Sequence, residues 1–105
     1  MKVTVNGRDY SVWFRYLFAG DTRYRVCTVA TIAEVHDYEG WQEKNVNVVA
    51  EGKTFCHPND QYQKKIGRKI AFDRAVNKLF IGRSPNLKAA RRVFWNAFLE
   101  KCKVA

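Results

Sequence analysis

Acidic residues are scarce in the last 45 positions of this 105-residue chain. Residues 61–105 hold twelve Lys or Arg but only two carboxylates, Asp73 and Glu100, which gives a formal net charge of +10. Residues 1–60 hold seven Lys or Arg and eight Asp or Glu, a net charge of −1. Charge of one sign concentrated in this way repels itself, and a polyanionic partner is the commonest reason for it. The sequence therefore predicts an acidic partner.

Long apolar runs and a secretory leader are also lacking. No apolar segment approaches the roughly 20 residues that a membrane-spanning helix needs. The first ten residues, MKVTVNGRDY, contain a polar turn in place of the apolar core of a signal peptide. With 47% hydrophobic and 14% aromatic residues, the composition argues against intrinsic disorder. We therefore expect one folded domain over residues 1–105, located in the cytoplasm.

The sequence has few residues that could serve in catalysis or metal binding. Its three cysteines are Cys27, Cys56 and Cys102. Their number is odd and none lie at C-x-x-C spacing, so neither a disulfide framework nor a zinc ribbon is predicted. Cys56, His57 and Asp60 are potential metal ligands, but His36-Asp37 is the only other cluster that could complete a site. We predict no catalytic residue, no metal and no cofactor, and hence a protein that is not an enzyme.

A β-hairpin is predicted at the N-terminus. Val3 and Val5 alternate with polar residues, and Asn6-Gly7 suits a two-residue type I′ turn because both of its positions need a positive φ. The return strand is predicted over residues 9–17. The apolar residues expected on one face of that strand are Tyr10, Val12 and Phe14.

Two further strands are predicted in the same half of the chain. Residues 23–35 are rich in β-branched side chains and should form a central strand, either covered on both faces or open to a partner on its outer face. Residues 37–45 are acidic and polar, and we predict a turn there that contains Trp41. Residues 46–55 are predicted to form the next strand, with Gly52 as a bulge or turn.

The second half of the chain carries helix patterns. Asn59 or Asp60 can cap a first helix, predicted over about residues 60–80. Ser84-Pro85 is a start signal for a second helix, predicted over about residues 85–102. The apolar stripe expected on the second helix is Leu87, Ala90, Phe94, Phe98 and Cys102.

These elements together predict the α+β fold class. The sheet would be antiparallel, with three to four N-terminal strands in about residues 2–56, and two C-terminal helices would pack on it.

The first predicted helix combines an apolar stripe with a cationic side. Tyr62, Ile66 and Ile70 recur every four residues and predict the buried stripe of its first half. The cations expected on the opposite side are Lys64, Lys65 and Arg68. Farther along the helix, the apolar character passes to the side below the basic residues, with Phe72, Ala75, Val76 and Leu79. Gly67 inside a helix costs about 1 kcal/mol relative to Ala, which predicts close packing on the sheet or close approach of a ligand.

Cations of the two predicted helices are the candidate binding residues. The candidates for contact with nucleic acid or an acidic partner are Lys64, Lys65, Arg68, Lys69, Lys88, Arg91 and Arg92. Phosphate contacts would come first, because backbone charge dominates affinity for nucleic acid. Arg68 and Arg92 should make phosphate contacts of more defined geometry than the lysines, since a guanidinium can bind phosphate through two donors. No zinc-finger or RNP-type pattern is present, so base-specific recognition is not predicted.

Two tryptophans are candidate interface aromatics. Trp41 lies in the predicted polar turn, and Trp95 lies beside the apolar stripe of the second helix. Each could be an exposed anchor for a partner or a lid over the core.

One segment resembles a known group of proteins. Residues 60–71, DQYQKKIGRKIA, follow CHPN and precede Arg74-Ala75. They resemble a helix motif, D-Q-[FY]-x-K-K-I-G-R-x-I-A, of small uncharacterised proteins of tailed bacteriophages and prophages. Asp73 departs from the otherwise basic and apolar run. The resemblance implies a short phage protein made in the host bacterial cytoplasm, in a class that often acts on host machinery such as CRISPR–Cas and restriction systems.

The residues and the resemblance together predict a small, basic, non-enzymatic protein. Its basic helical face would bind nucleic acid or a host complex that handles nucleic acid, and the favoured role is counter-defence inhibition, either anti-CRISPR or anti-restriction. One alternative is a stand-alone DNA- or RNA-binding accessory protein. Another is a protein–protein interaction module that uses an aromatic face of the sheet. A membrane and a small-molecule substrate are not expected partners.

Overall fold

The computed structural model of the chain describes residues 1–18, 25–55, 64–81 and 85–104. Its elements are the strands β1 (Lys2–Val5), β2 (Arg8–Phe18), β3 (Arg25–Glu39) and β4 (Gln42–Phe55), followed by the helices α1 (Lys64–Leu79) and α2 (Pro85–Val104). The four strands form one antiparallel sheet in the order β1-β2-β3-β4. The predicted α+β class, with the sheet first and two helices after it, is confirmed. Neither helix is long and apolar enough to cross a bilayer.

The N-terminal hairpin forms as predicted. Asn6 and Gly7 have φ angles of 52° and 78°, the positive values that a type I′ turn requires. Strand pairing extends to the first residue, because the Met1 ammonium donates to the Val12 carbonyl oxygen at 3.0 Å and the Val12 N–H donates back to Met1 at 2.8 Å. The short strand β1 is therefore held to β2 at both of its ends.

The hairpin between β3 and β4 is longer than predicted. β3 continues to Glu39 and β4 begins at Gln42, so only Gly40-Trp41 remains in the turn. Gly40 has a φ of 63°, and Lys44 forms an ion pair with Glu39 across the hairpin. The prediction of a turn over residues 37–45 is therefore wrong. The segment is polar because both arms of the hairpin are exposed, and its opposite charges pair across the strands.

Gly52 is neither a bulge nor a turn. The extra residue in β4 is Val49, where the register with β3 shifts. At Gly52 the backbone of α1 crosses the strand so closely that a Cβ would lie 2.1 Å from the carbonyl oxygen of Ala71. Glycine is needed at this position because the helix backbone occupies the space that a side chain would take.

Both helices pack on one face of the sheet, which we call the inner face. The core consists of Val3, Val5, Tyr10, Val12, Ala30, Ile32 and Ala50 from the sheet and Ala71, Phe72, Ala75, Val76, Ala90, Phe94 and Phe98 from the helices. The rings of Phe72 and Phe98 stack with centroids 4.7 Å apart, and those of Phe80 and Phe94 lie 5.5 Å apart. Phe72 lies inside α1 and meets the later residue of α2, whereas Phe80 lies just after α1 and meets the earlier one, so the two helices run in opposite directions.

The buried side of α1 differs from the predicted stripe. Ile66 and Ile70 are 52% and 38% exposed, so the prediction that they are buried is wrong. Tyr62, the third residue of that stripe, lies outside the described residues. The buried side is formed by Ala71, Phe72, Ala75 and Val76, and the last three belong to the apolar side predicted for the second half of the helix. Close contact between α1 and β4 at Gly52 leaves room only for small side chains, and alanines give a weak apolar signal in the sequence.

The central strand β3 is buried on both faces over residues 27–33. On the face opposite the helices, which we call the outer face, five β3 residues are at most 6% exposed: Cys27, Val29, Thr31, Ala33 and Val35. Arg15 of β2 and Glu51 of β4 form a 3.3 Å ion pair over this strand. Long side chains of the neighbouring strands thus cover β3 where no helix lies.

Candidate nucleic-acid interface

The helical layer carries most of the uncompensated charge of the protein. Residues 64–81 and 85–104 hold eleven Lys or Arg and two carboxylates. The exposed cations among them are Lys65, Lys69, Arg74, Lys78, Lys88, Arg92 and Lys101. An excess of cations on one layer raises the local potential and attracts polyanions.

The four strands hold six carboxylates and six Lys or Arg, and three of each form ion pairs. The ion pairs seen among the described residues are Arg8–Glu34, Arg15–Glu51 and Lys44–Glu39, and each joins two strand residues. The sheet thus neutralises its own charge. The cations of the helices face solvent on the other side of the inner core, with Asp73 and Glu100 as the acidic residues of their own layer.

One group of candidate residues lies on the first half of α2, and we call Lys88, Arg91 and Arg92 the α2 patch. Lys88 and Arg92 are exposed and four residues apart, which places them on one side of the helix. Arg91 is half-buried, and its Nη1 donates to the carbonyl oxygen of Phe80 at 2.6 Å. That carbonyl lies just after the C-terminal end of α1, where unpaired carbonyls attract cations. Arg91 therefore holds the two helices together beside the two exposed cations.

A second group lies on the first half of α1, and we call Lys65, Arg68 and Lys69 the α1 patch. Lys65 and Lys69 are exposed and again four residues apart, whereas Arg68 is half-buried. Lys64 is the first residue of α1, and its side chain lies outside the described part of the structure. The described cations of this patch are therefore the exposed Lys65 and Lys69 and the half-buried Arg68.

The two patches lie at different places along the helical layer. Arg91 is bonded to Phe80, which follows Lys69 by eleven residues. At a rise of 1.5 Å per residue, the patches are about 16 Å apart along α1. The seven candidate cations consequently form two groups and not one continuous stripe.

Further helix cations, which the sequence did not single out, lie away from both patches. Arg74 donates from Nη1 to the carbonyl oxygen of Lys53 at 2.5 Å and so covers part of the free edge of β4. Lys101 lies near the N-terminus of the chain, where burial and then the Lys101 charge lower the pKa of the Met1 ammonium. These two cations have structural neighbours that the sequence alone could not indicate, because their partners are distant in the chain.

Gly67 lies against the sheet. A Cβ at this position would be 2.8 Å from Thr28 Oγ1 and 3.7 Å from Thr54 Cγ2. Of the two explanations for a glycine in this helix, close packing on the sheet is the one that the contacts support.

The two candidate tryptophans have different environments. Trp41 is 89% exposed at the tip of the β3–β4 hairpin. Trp95 is half-buried and packs edge-on against Phe72 and Phe98, with ring centroids 4.9 Å and 5.6 Å away. Trp95 therefore acts as a lid on the core, and Trp41 alone of the two is freely exposed.

A polar cluster at one end of the sheet contains the clearest pKa shifts apart from that of Met1. Asp9 accepts hydrogen bonds from Thr4 Oγ1 at 2.7 Å and from the Tyr38 hydroxyl at 3.0 Å, and these lower its pKa. Desolvation, followed by the bond to Asp9, raises the pKa of Tyr38. The Lys2 ammonium lies 5.0 Å from the centre of the Tyr38 ring. The cluster joins β1, β2 and β3 and lies apart from both patches.

Cys56, His57 and Asp60 lie outside the described residues. Within the described ranges, no three His, Cys, Asp or Glu side chains come close enough together to hold a metal ion.

Sequence analysis did not identify the residues on the outer face of the sheet. Its exposed large side chains are Trp13, Leu17, Val46, Val48 and Phe55. The available signal was the predicted central strand, whose two sides are both apolar.

No protein-family model, no curated protein and no solved structure matches the chain. The candidate interface is defined by the charge, exposure and contacts of the chain's own residues.

Proposed function

We propose that this protein binds nucleic acid, free or within a host nucleoprotein complex, through phosphate contacts of the α1 patch and the α2 patch. The observation that supports the proposal most is the difference in charge between the sheet and the helical layer. The strands carry as many carboxylates as cations and join three of each in ion pairs, whereas Lys65, Lys69, Lys88 and Arg92 are exposed on the helices. Exposed cations of this kind bind the phosphates of nucleic acid, and release of the counterions condensed on the nucleic acid favours that binding.

The spacing of the patches fits a polynucleotide. Base pairs of a duplex follow one another every 3.4 Å, so two groups about 16 Å apart reach phosphates roughly five base pairs apart. Arg91 fixes α2 to the end of α1 and so keeps this spacing constant. A rigid pair of patches binds a regular phosphate backbone with less loss of conformational freedom than flexible cations would.

The resemblance to phage proteins supports a more specific role, inhibition of a host defence complex that contains nucleic acid. The channels of such complexes are themselves positively charged. The helical cations of this protein would therefore contact the nucleic acid of the complex, or an acidic protein surface, and not the channel wall.

Phosphate binding predicts a defined salt dependence. Lys88→Gln with Arg92→Gln removes two exposed cations of the α2 patch, and Lys44→Gln with Lys53→Gln removes two exposed cations of the sheet. Binding of a labelled duplex and a labelled single strand is measured by fluorescence anisotropy from about 50 to about 200 mM salt. Loss of two phosphate contacts should reduce the slope of log K against log salt by about 1.8 for the duplex.

The sheet variant is the matched control, because it changes the net charge by the same amount. We expect it to keep the wild-type slope. The proposal is wrong if the protein binds neither nucleic acid at low salt, or if the two double variants lose the same affinity. The counter-defence role is tested by a pull-down from host lysate. The wild-type protein should retain a host nuclease complex, and the double variant Lys65→Gln, Lys69→Gln should not.

A further inference from the structure

The outer face of the sheet combines a buried strand with exposed apolar flanks. Trp13 and Leu17 of β2 are 37% and 47% exposed, and Val46, Val48 and Phe55 of β4 are 42%, 51% and 72% exposed. Between them β3 presents small and β-branched side chains that are almost fully buried. Thr31 Oγ1 on this strand is buried and finds no hydrogen-bond partner among the described residues. An apolar strip of this kind, left open on one face of a sheet, is typical of an interaction surface.

The charges on the outer face balance. The charged strand residues that the register places there, counting those with described side chains, are Lys2, Arg15, Lys44, Lys53, Asp9, Asp37, Glu39 and Glu51. Four cations and four carboxylates give no net charge, so this face has no preference for a polyanion. A surface that carries both signs does not repel a copy of itself, and two of its ion pairs, Arg15–Glu51 and Lys44–Glu39, already form within the chain.

The size of the outer face is suited to a dimer. β3 and β4 are 15 and 14 residues long. With strands about 4.8 Å apart and rising about 3.3 Å per residue, three long strands present about 600 Å² in projection. Side-chain relief adds to this, and stable interfaces bury about 800 Å² from each partner.

The free edge of β4 is a poorer contact site than the outer face. It carries a bulge at Val49, the exposed charges of Lys44 and Lys53, and a carbonyl already bonded by Arg74. Bulges, lysines and covered carbonyls are the features that discourage addition of another strand. On the apolar outer face, by contrast, neither α1 nor α2 covers the strands.

We propose that two copies of this chain pack outer face against outer face and form a dimer with the two sheets in the centre. Sheets packed in this way lie about 10 Å apart, and their apolar side chains interdigitate. The two cationic helical layers then lie on the two far sides of the dimer, which keeps their like charges apart. The dimer does not depend on the proposed binding of nucleic acid.

The test is the oligomeric state of the purified protein. Sedimentation velocity and light scattering are run from about 1 to about 100 μM, a range that covers micromolar dissociation constants. About 0.5 M salt and nuclease treatment remove assemblies bridged by nucleic acid, so failure of the dimer and failure of the proposed function can be distinguished. We expect a species of twice the 12.3 kDa chain mass.

A matched pair of variants locates the contact. Val48 on the outer face and Leu99 on α2 are 51% and 49% exposed, so both should accept Glu without unfolding the monomer. Val48→Glu is expected to weaken the dimer at least tenfold, whereas Leu99→Glu should leave it unchanged. Circular dichroism checks that each variant folds, and Phe55→Gln replaces Val48→Glu if the latter does not.

Two results would overturn the inference. One is a wild-type protein that stays monomeric over the whole range, as it would if another protein occupied the outer face. The other is a dimer that persists in the outer-face variants, because the contact would then lie elsewhere.

Discussion

At the scale of single residues, Asp9 connects three strands through one carboxylate. Thr4 of β1 and Tyr38 of β3 both donate to it, and these bonds hold its pKa below the ordinary 3.8. The folded protein therefore binds a proton at Asp9 less readily than the unfolded chain does. The stability contributed by ionised Asp9 is present above the unfolded pKa and is lost as the pH falls through the folded pKa.

This linkage predicts the acid sensitivity of an Asp9→Asn variant. Wild-type protein should lose thermal stability as the pH falls below about 4, and the variant should lose less of it over the same range. Melting temperatures measured by circular dichroism between neutral and strongly acidic pH give the comparison. Glu100→Gln, which changes an exposed carboxylate of α2, is the control and should follow the wild-type curve. Identical curves for wild type and Asp9→Asn would contradict the prediction.

At the scale of elements, the position of α1 on the sheet is determined by its contacts with β4 and α2. Ala71 and Ala75 lie over Gly52, and Phe72 packs between Trp95 and Phe98. The helix is therefore held on one side by close backbone contact and on the other by aromatic packing. Ile66 and Ile70 project away from both contacts and are exposed.

The orientation of α1 predicts opposite outcomes for two substitutions in the same helix. Phe72→Ala removes a fully buried ring and should lower the free energy of unfolding by about 3–5 kcal/mol. Ile66→Ala changes a residue that is 52% exposed and should stay within about 0.5 kcal/mol of wild type. Urea unfolding followed by circular dichroism measures both. A large loss at Ile66 would mean that the other side of the helix is the buried one.

At the scale of the whole molecule, the charge of +9 opposes folding by self-repulsion. Salt weakens this repulsion and also weakens the ion pairs of the sheet. The described pairs have side chains between 19% and 69% exposed, and exposed pairs contribute only about 0–1 kcal/mol each. Repulsion among the cations of the helical layer should therefore be the larger effect.

This balance predicts that added salt stabilises the protein. The melting temperature should rise between low salt and about 0.5 M sodium chloride, where the screening length falls to a few ångströms. A variant with Lys65, Lys69, Lys88 and Arg92 changed to Gln should show a smaller rise, because fewer like charges remain. Differential scanning calorimetry provides the measurement. A melting temperature that falls with salt in the wild type would show that the sheet ion pairs dominate.

The sequence by itself determined the separation of charge and most of the elements. Nineteen cations and ten carboxylates are divided along the chain in a way that no folding can alter. Local rules also sufficed for the Asn6-Gly7 turn, the alternation of β2 and the start of α2 at Pro85. These features depend on the backbone preferences of neighbouring residues, so they can be predicted before any long-range contact is known.

Only the tertiary structure decided which surfaces are free. The buried side of α1 depends on contact between Gly52 and Ala71, two residues that no local pattern connects. The same holds for the hydrogen bond from Arg91 to Phe80, which places the α2 patch at the end of α1 and therefore away from the α1 patch. The open outer face exists because both helices pack on the opposite side of the sheet. Packing between distant segments determines which face of each element is buried. A sequence pattern with two apolar sides does not show which of them that is.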